Sequence, residues 1–150
     1  MLLTDVNVLL SAHRSELPDH EPIRSWLTNL IDGDSAFGVP ELAMSAFVRI
    51  ATASKPFRPP TQTGVAFDFC RKIVASPRCV IVRPSPSHWQ IFERLCRQIH
   101  ATGNLVPDAY FAAMAIDSGC EWITLDNDFA RFPALTWRHP LAKTATTNRL

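Results

Sequence analysis

The chain has 150 residues, 47% apolar and 19% charged, with a formal net charge of +1. That composition excludes a disordered chain, and a chain of this length buries roughly two-thirds of its unfolded surface without disulfide or zinc staples. The balanced charge gives no general polyanion-binding surface, though it allows a local basic patch.

The four cysteines, Cys70, Cys79, Cys96 and Cys120, show no metal-ligand or redox spacing. Each sits among apolar neighbours, which reads as buried free thiols in a reducing cytosol. The N-terminus lacks the basic region and long apolar run of a signal peptide, and no stretch approaches the roughly 20 apolar residues that span a bilayer. A cytoplasmic protein that does not enter membranes is expected.

Leu2 to Asp5 reads as a short buried strand running directly into a helix from Val6 to about His13, with Val6, Leu9, Leu10 and His13 at helical spacing. Pro22 to Ile31 forms a second helix with Ile23, Trp26, Leu27, Leu30 and Ile31 on one face. After the Asp32-Gly33-Asp34 turn, Ser35 to Val39 is a strand and Pro40 opens a helix to about Ile50. The segment KPFRPP, residues 55–60, is a loop because its prolines forbid continuation. Gln62 to Ala75 is helical, with Val65, Phe69 and Ile73 facing in, and Cys79 to Val82 is a buried strand. Ser85-Pro86 starts a helix whose Trp89, Phe92, Leu95, Cys96 and Ile99 face the core. Residues 100–106 form a loop, and Pro107 opens a helix through Ile116 that Gly119 caps. Glu121 to Leu125 is a strand, Phe129 to Phe132 a helical turn, and Leu135 to Trp137 a last strand.

Short buried strands alternating with helices predict a three-layer α/β/α fold with a central parallel sheet, one domain over residues 1–142. Residues 143–150 lack apolar periodicity and read as a flexible tail. In such sheets the site lies beyond the carboxyl ends of the strands.

Four of the 14 acidic residues fall on that rim. Asp5 and Asp126 end strands, while Glu41 and Asp108 occupy first helical turns behind Pro40 and Pro107. Singly, each is explained as a turn residue, a cap or a complement to a helix dipole. Together they crowd like charges onto one edge, which raises their pKa values, and a hard divalent cation relieves that repulsion. Mg²⁺ suits such oxygen donors, as does Mn²⁺, and either ion suits phosphoester hydrolysis.

The motifs DVNVLL near the start, PEL at 40–42, PDAYFAAMA at 107–115 and TLDNDF at 124–129 resemble those of the PIN-domain ribonucleases, and most of all the VapC toxins of prokaryotic toxin–antitoxin pairs. The resemblance follows the family's order over nearly the whole chain. It implies an acidic quartet of Asp5, Glu41, Asp108 and Asp126 that binds Mg²⁺ or Mn²⁺, with Asp128 as a further acidic ligand. It implies that Asn7 orients Asp5 and that Thr124 lines the site. It further implies an endoribonuclease acting on tRNA or a ribosomal RNA loop, inhibition by a cognate VapB-type antitoxin near the second and third helices, and a homodimer. Hydrolysis of this kind leaves a 5′-phosphate and a 3′-hydroxyl. None of the five histidines belongs to a ligand motif, and all read as solvent-facing or half-buried rings.

For RNA, Arg14, Arg49, Lys55 and Arg58 are the candidate phosphate contacts, the last three because they flank the proline-rich loop after Glu41. Phe57 suits base stacking, core packing or antitoxin contact equally. Two rival readings remain. One is a catalytically silent PIN scaffold that binds RNA or protein. The other is a haloacid-dehalogenase-like phosphatase with Asp5 as nucleophile, which wants an aspartate where Asn7 stands and a lysine where only mid-helical Lys72 is near.

Overall fold

The structure, a computed structural model, describes residues 1–143. Its centre is β1 (Leu2–Thr4), flanked by β2 (Phe37–Pro40) and β4 (Glu121–Ile123), with β3 (Cys79–Val82) and β5 (Trp137–Arg138) at the edges. All pairings are parallel, in the order β3-β2-β1-β4-β5. Six α-helices flank the sheet among the described residues: α1 (Val6–His13), α2 (His20–Asp32), α3 (Glu41–Ala51), α4 (Thr63–Val74), α5 (His88–Ile99) and α6 (Leu105–Asp117). The expected α/β/α architecture with a parallel sheet is what the chain adopts.

Parallel strands need helical crossovers, and these set the position of the site. From β1 the chain moves outward to β2 and then β3, and after α5 and α6 it returns to the other side of β1 as β4. The direction of travel therefore reverses between β1 and β4, the topological switch point where open α/β sheets form their crevice. Leu3 pairs with Gly38 on one side and Trp122 on the other. At Gly38 an added Cβ would lie 2.9 Å from Leu3 Cδ1 and 3.0 Å from Val82 Cγ2, so glycine permits the close strand packing there.

Helix α1 packs against α2 and α3, α3 against α4, and α5 against α6. In α6, Ala109 and the run Phe111 to Ala115 are all buried, so the helix is apolar around most of its circumference and lies within the core. Its C-terminal end follows the expected capping logic, with Gly119 left-handed at φ +65 just past Ser118.

Several details depart from the apolar pattern. In α4, Ile73 is buried and Phe69 is half-buried against Phe47 as expected, but Val65 is 48% exposed, and Ala66 and Cys70 complete the buried face. Strand β3 is an edge, so Val80 and Ile81 are exposed rather than buried. In α5 only Leu95 of the expected inward face is fully buried, and Trp89 is 65% exposed. Helix α6 begins at Leu105, two residues before Pro107, which makes the preceding loop shorter. His20 and His88 are buried, contrary to the solvent-facing reading, because each ring hydrogen-bonds a backbone carbonyl: Ser11 O at 2.7 Å and Tyr110 O at 3.0 Å. All four cysteines are free, but only Cys70 and Cys120 are buried; Cys79 and Cys96 are half-buried. Of the expected tail, residues 144–150 lie outside the described residues.

An alanine at position 119 would meet no atom within 4 Å, so its cost is the backbone alone. Gly119→Ala is expected to lower unfolding stability by about 1–2 kcal/mol in a urea titration without changing the slope.

Candidate active site

Asp5 is the residue between β1 and α1, and both ends of it are used. Its N–H donates to Ile123 O at 2.9 Å, extending the β1–β4 ladder one step past the strand. Its Oδ1 accepts from Val6 N at 2.6 Å as the N-cap of α1. Its Oδ2 accepts from Thr124 Oγ1 at 2.6 Å and from Asn7 Nδ2 at 3.1 Å. Asn7 Nδ2 also donates to Thr124 Oγ1 at 3.0 Å, and Asn7 Oδ1 accepts from Leu125 N at 3.1 Å. Thr124 Oγ1 further accepts from Asp126 N at 3.1 Å, and Asp126 Oδ1 accepts from Asp128 N at 2.8 Å. One connected network thus joins the carboxyl ends of β1 and β4.

Asp5 is 6% exposed, and burial pushes its carboxyl from an ordinary 3.8 up to about 6. The Thr124 and Val6 hydrogen bonds act against this rise, and the charges of Asp108 and Asp126 add to it. Asp108, in the first turn of α6, is likewise raised, first by burial and then by Asp126 and Asp128. Among the described residues no ion pair reaches Asp5, Asp108 or Asp126, and the nearest partner of Asp128 is Arg131 Nε at 3.9 Å. Four aspartates from three parts of the chain therefore share one negative field, in which only Asp128 has a cationic partner among the described residues.

Glu41 is not among the charges that raise Asp5 or Asp108. It opens α3 at the end of β2, is more than half exposed, and forms an ion pair with Arg83. Arg14 is engaged in other contacts: it pairs with Glu16, donates to Thr61 Oγ1 at 2.9 Å and to Pro59 O at 3.0 Å, and lies 4.5 Å over the Phe57 ring. It fastens the proline-rich loop, and Phe57 is buried beneath it, closed to base stacking. Lys55 and Arg58 are exposed on that loop. Arg49 is exposed two helical turns after Glu41, and both line an apolar groove of about 620 Å³ with Met44, Val48, Phe67 and Ile81. The sequence reading passed over Arg83. Its signal was its place one residue after an apolar strand, the position that Asp5 and Glu41 hold after theirs.

Residues 2–135 match the PIN domain family. VapC ribonuclease Mb2897 of Mycobacterium bovis is 38% identical over 141 residues, 94% of this chain and 96% of that protein. The chain belongs to the PIN-domain family of VapC ribonucleases. Ribonuclease VapC31 of Mycobacterium tuberculosis is similar as well, 39% identical over 140 residues, 93% of this chain and 99% of that one. The fold is shared with a chain in the VapBC2 structure from Rickettsia felis, at a TM-score of 0.69 and 13% identity over 92% of this chain and 97% of that one. A chain in VapBC-1 from nontypeable Haemophilus influenzae superposes at 0.65, with 10% identity over 93% and 97%. The phosphatase reading does not fit this PIN domain. Asn7 has its amide bonded at both ends and cannot relay a proton.

The cluster offers only hard oxygen donors, which fits Mg²⁺ or Mn²⁺. Among the described residues no three His, Cys, Asp or Glu side chains converge tightly enough to enclose an ion. Mg²⁺ does not require such a cage, since one or two carboxylates and several waters commonly hold it.

The raised Asp5 pKa has a definite consequence for stability. Between pH 3.8 and about 6 the folded chain keeps a proton that the unfolded chain has released. The Asp5 contribution to stability therefore falls as pH rises through this window, by on the order of 3 kcal/mol in total, and stays at its lowest above it. Chemical denaturation in EDTA at pH 4.5 and 7.5 should show about 2 kcal/mol of this loss in the wild type and a smaller one in Asp5→Asn. Equal pH slopes for the two proteins would contradict it.

Proposed function

We propose that the protein is a Mg²⁺- or Mn²⁺-dependent endoribonuclease toxin that hydrolyses RNA phosphodiester bonds, with tRNA or rRNA as substrate. The observation that carries this reading is the buried Asp5 carboxylate, which has no cationic partner among the described residues and lies in the field of Asp108 and Asp126 at the β1–β4 switch point. A buried carboxylate without a cationic partner is costly, and a bound cation would offset that cost. Asp5, Asp108 and Asp126 would hold the cation, with Asp128 and Glu41 as further carboxylates from the same rim. When bound, the ion supplies the positive charge that activates water and offsets the charge of the phosphate and the leaving oxygen.

The protein's own groups do the positioning. Thr124 and Asn7 fix Asp5 Oδ2, and the Val6 amide fixes Oδ1, so the carboxylate cannot rotate away from the crevice. Asp126 is oriented through its own N–H to Thr124 and through the Asp128 amide. This chemistry needs no histidine as general base, and the buried His20 and His88 rings are spent on backbone carbonyls. The products are expected to carry 5′-phosphate and 3′-hydroxyl ends.

A VapB-type antitoxin as inhibitor and a homodimer as the working state belong to the same reading. The VapBC structures that share this fold support the first of these, and the apolar groove between α3 and α4 offers a seat for a partner's apolar side chains. A cytoplasmic location accords with it, and no helix among the described residues is long and apolar enough to cross a membrane.

The deciding experiment is cleavage of total cellular RNA by purified, antitoxin-free protein with Mg²⁺ or Mn²⁺, with the new 5′ ends sequenced. Discrete cuts that EDTA and Asp5→Asn abolish are expected. A folded protein that binds Mn²⁺ yet cuts nothing would favour a silent scaffold, and 2′,3′-cyclic ends would rule out this chemistry. Thr124→Val, which removes the shortest bond to Asp5 Oδ2, should cost about 10–100-fold in kcat or in Mn²⁺ affinity measured by thermal shift.

A further inference from the structure

Strand register makes Arg83 a neighbour of the acidic rim. Pro40 pairs with Val82 in the β2–β3 ladder, so the next residues along, Glu41 and Arg83, emerge side by side at the carboxyl edge. Their side chains form an ion pair, and both are more than half exposed. Exposed pairs of this kind contribute little to stability, so the partner of Arg83 can be exchanged cheaply. Nearby, Arg49 lies on the same face of α3 as Glu41 and lines the same groove. Arg14, by contrast, has its donors engaged by Glu16, Thr61 and Pro59. A polyanion approaching the aspartates meets a repulsive field unless a basic group stands near, and Arg83 follows β3, two strands from Asp5 along the same carboxyl edge.

Resting on the ribonuclease reading, we propose that Arg83 is a phosphate-binding residue of the RNA path, exchanging Glu41 for a backbone phosphate when RNA arrives. The guanidinium presents a fork of N–H donors suited to carboxylate and phosphate alike. The exchange does two things at once. It anchors the chain beside the crevice, and it frees the Glu41 carboxylate to face the cation site.

The test is binding of a random-sequence RNA oligonucleotide across a salt series, in the Asp5→Asn background so that RNA is not consumed. Arg83→Ala should weaken binding several-fold at low salt and lower the salt slope by about 0.7, the value for one phosphate on a single strand. Arg83→Lys should restore most of the slope. Because Arg83 must first leave Glu41, Arg83→Ala should cost more affinity in a Glu41→Gln background than with Glu41 present. An unchanged affinity and slope for Arg83→Ala would overturn the proposal, and an equal cost in both backgrounds would overturn the exchange. The two readings fail separately. Wild-type protein that cuts RNA while Arg83→Ala binds normally removes only Arg83 from the path. An altered slope in a protein that cuts nothing leaves Arg83 in place and removes the nuclease.

Discussion

The Asp5 carboxylate sits where water cannot serve it, and the surrounding structure supplies what water would. Three hydrogen bonds reach it, from the Val6 amide, the Thr124 hydroxyl and the Asn7 amide. They come from α1 and from the end of β4, 119 residues away in sequence in the case of Thr124. This arrangement demands one register. Leu3 pairs with Trp122 and Thr4 with Ile123, so Asp5 and Thr124 follow as neighbours on the same side of the ladder. A slip of one residue would turn Thr124 to the opposite face and leave Asp5 unsatisfied. The central strand pair and the candidate site thus depend on the same geometry.

The hydrophobic core is continuous with this network. Trp122, two residues before Thr124, stacks on Phe111 at 5.4 Å, and Phe111 is three residues after Asp108. On its other side Trp122 packs on Phe129 at 5.6 Å, and Phe129 follows Asp128. Each ring is buried. The elements that carry Asp108, Thr124 with Asp126, and Asp128 are therefore fastened to one aromatic stack. Close-packed rings hold their rotamers, which is what lets four short-stemmed carboxylates stay within electrostatic reach of one another. The cost is visible too, in the Trp122 Nε1 donor, which is buried with no partner in the described structure.

Much of this was legible in the sequence, for physical reasons. A carboxylate straight after an apolar strand is expensive, so Asp5 and Asp126 announced themselves, and proline before Glu41 and Asp108 marked helix starts at the same rim. Element order and strand parallelism followed from short apolar runs between amphipathic ones. What failed was local. In α4, Val65 lies outside the core while the smaller Ala66 and Cys70 lie within it, and side-chain size and hydropathy in the sequence point the other way. The exposure of β3 was misread because an apolar tetrad looks the same at an edge as in the middle, and only strand order tells them apart. The burial of His20 and His88 rests on carbonyl partners 9 and 22 residues away, which no periodicity reveals.

Charge shows the same division between what composition records and what position decides. Fifteen basic and 14 acidic residues nearly cancel, but they are not mixed evenly at the rim. Asp5, Asp108 and Asp126 gather at the switch point without cationic partners among the described residues, while Arg14 is drawn inward to hold the proline-rich loop. Proximity in sequence suggested Arg14 as a substrate contact, and its committed donors argue against that use. Arg83 lies far from the other acids in sequence, and a parallel ladder brings it beside Glu41. A cation's availability to a substrate depends on what it already touches, and an exposed ion pair at a strand end is the state from which an arginine is most readily recruited.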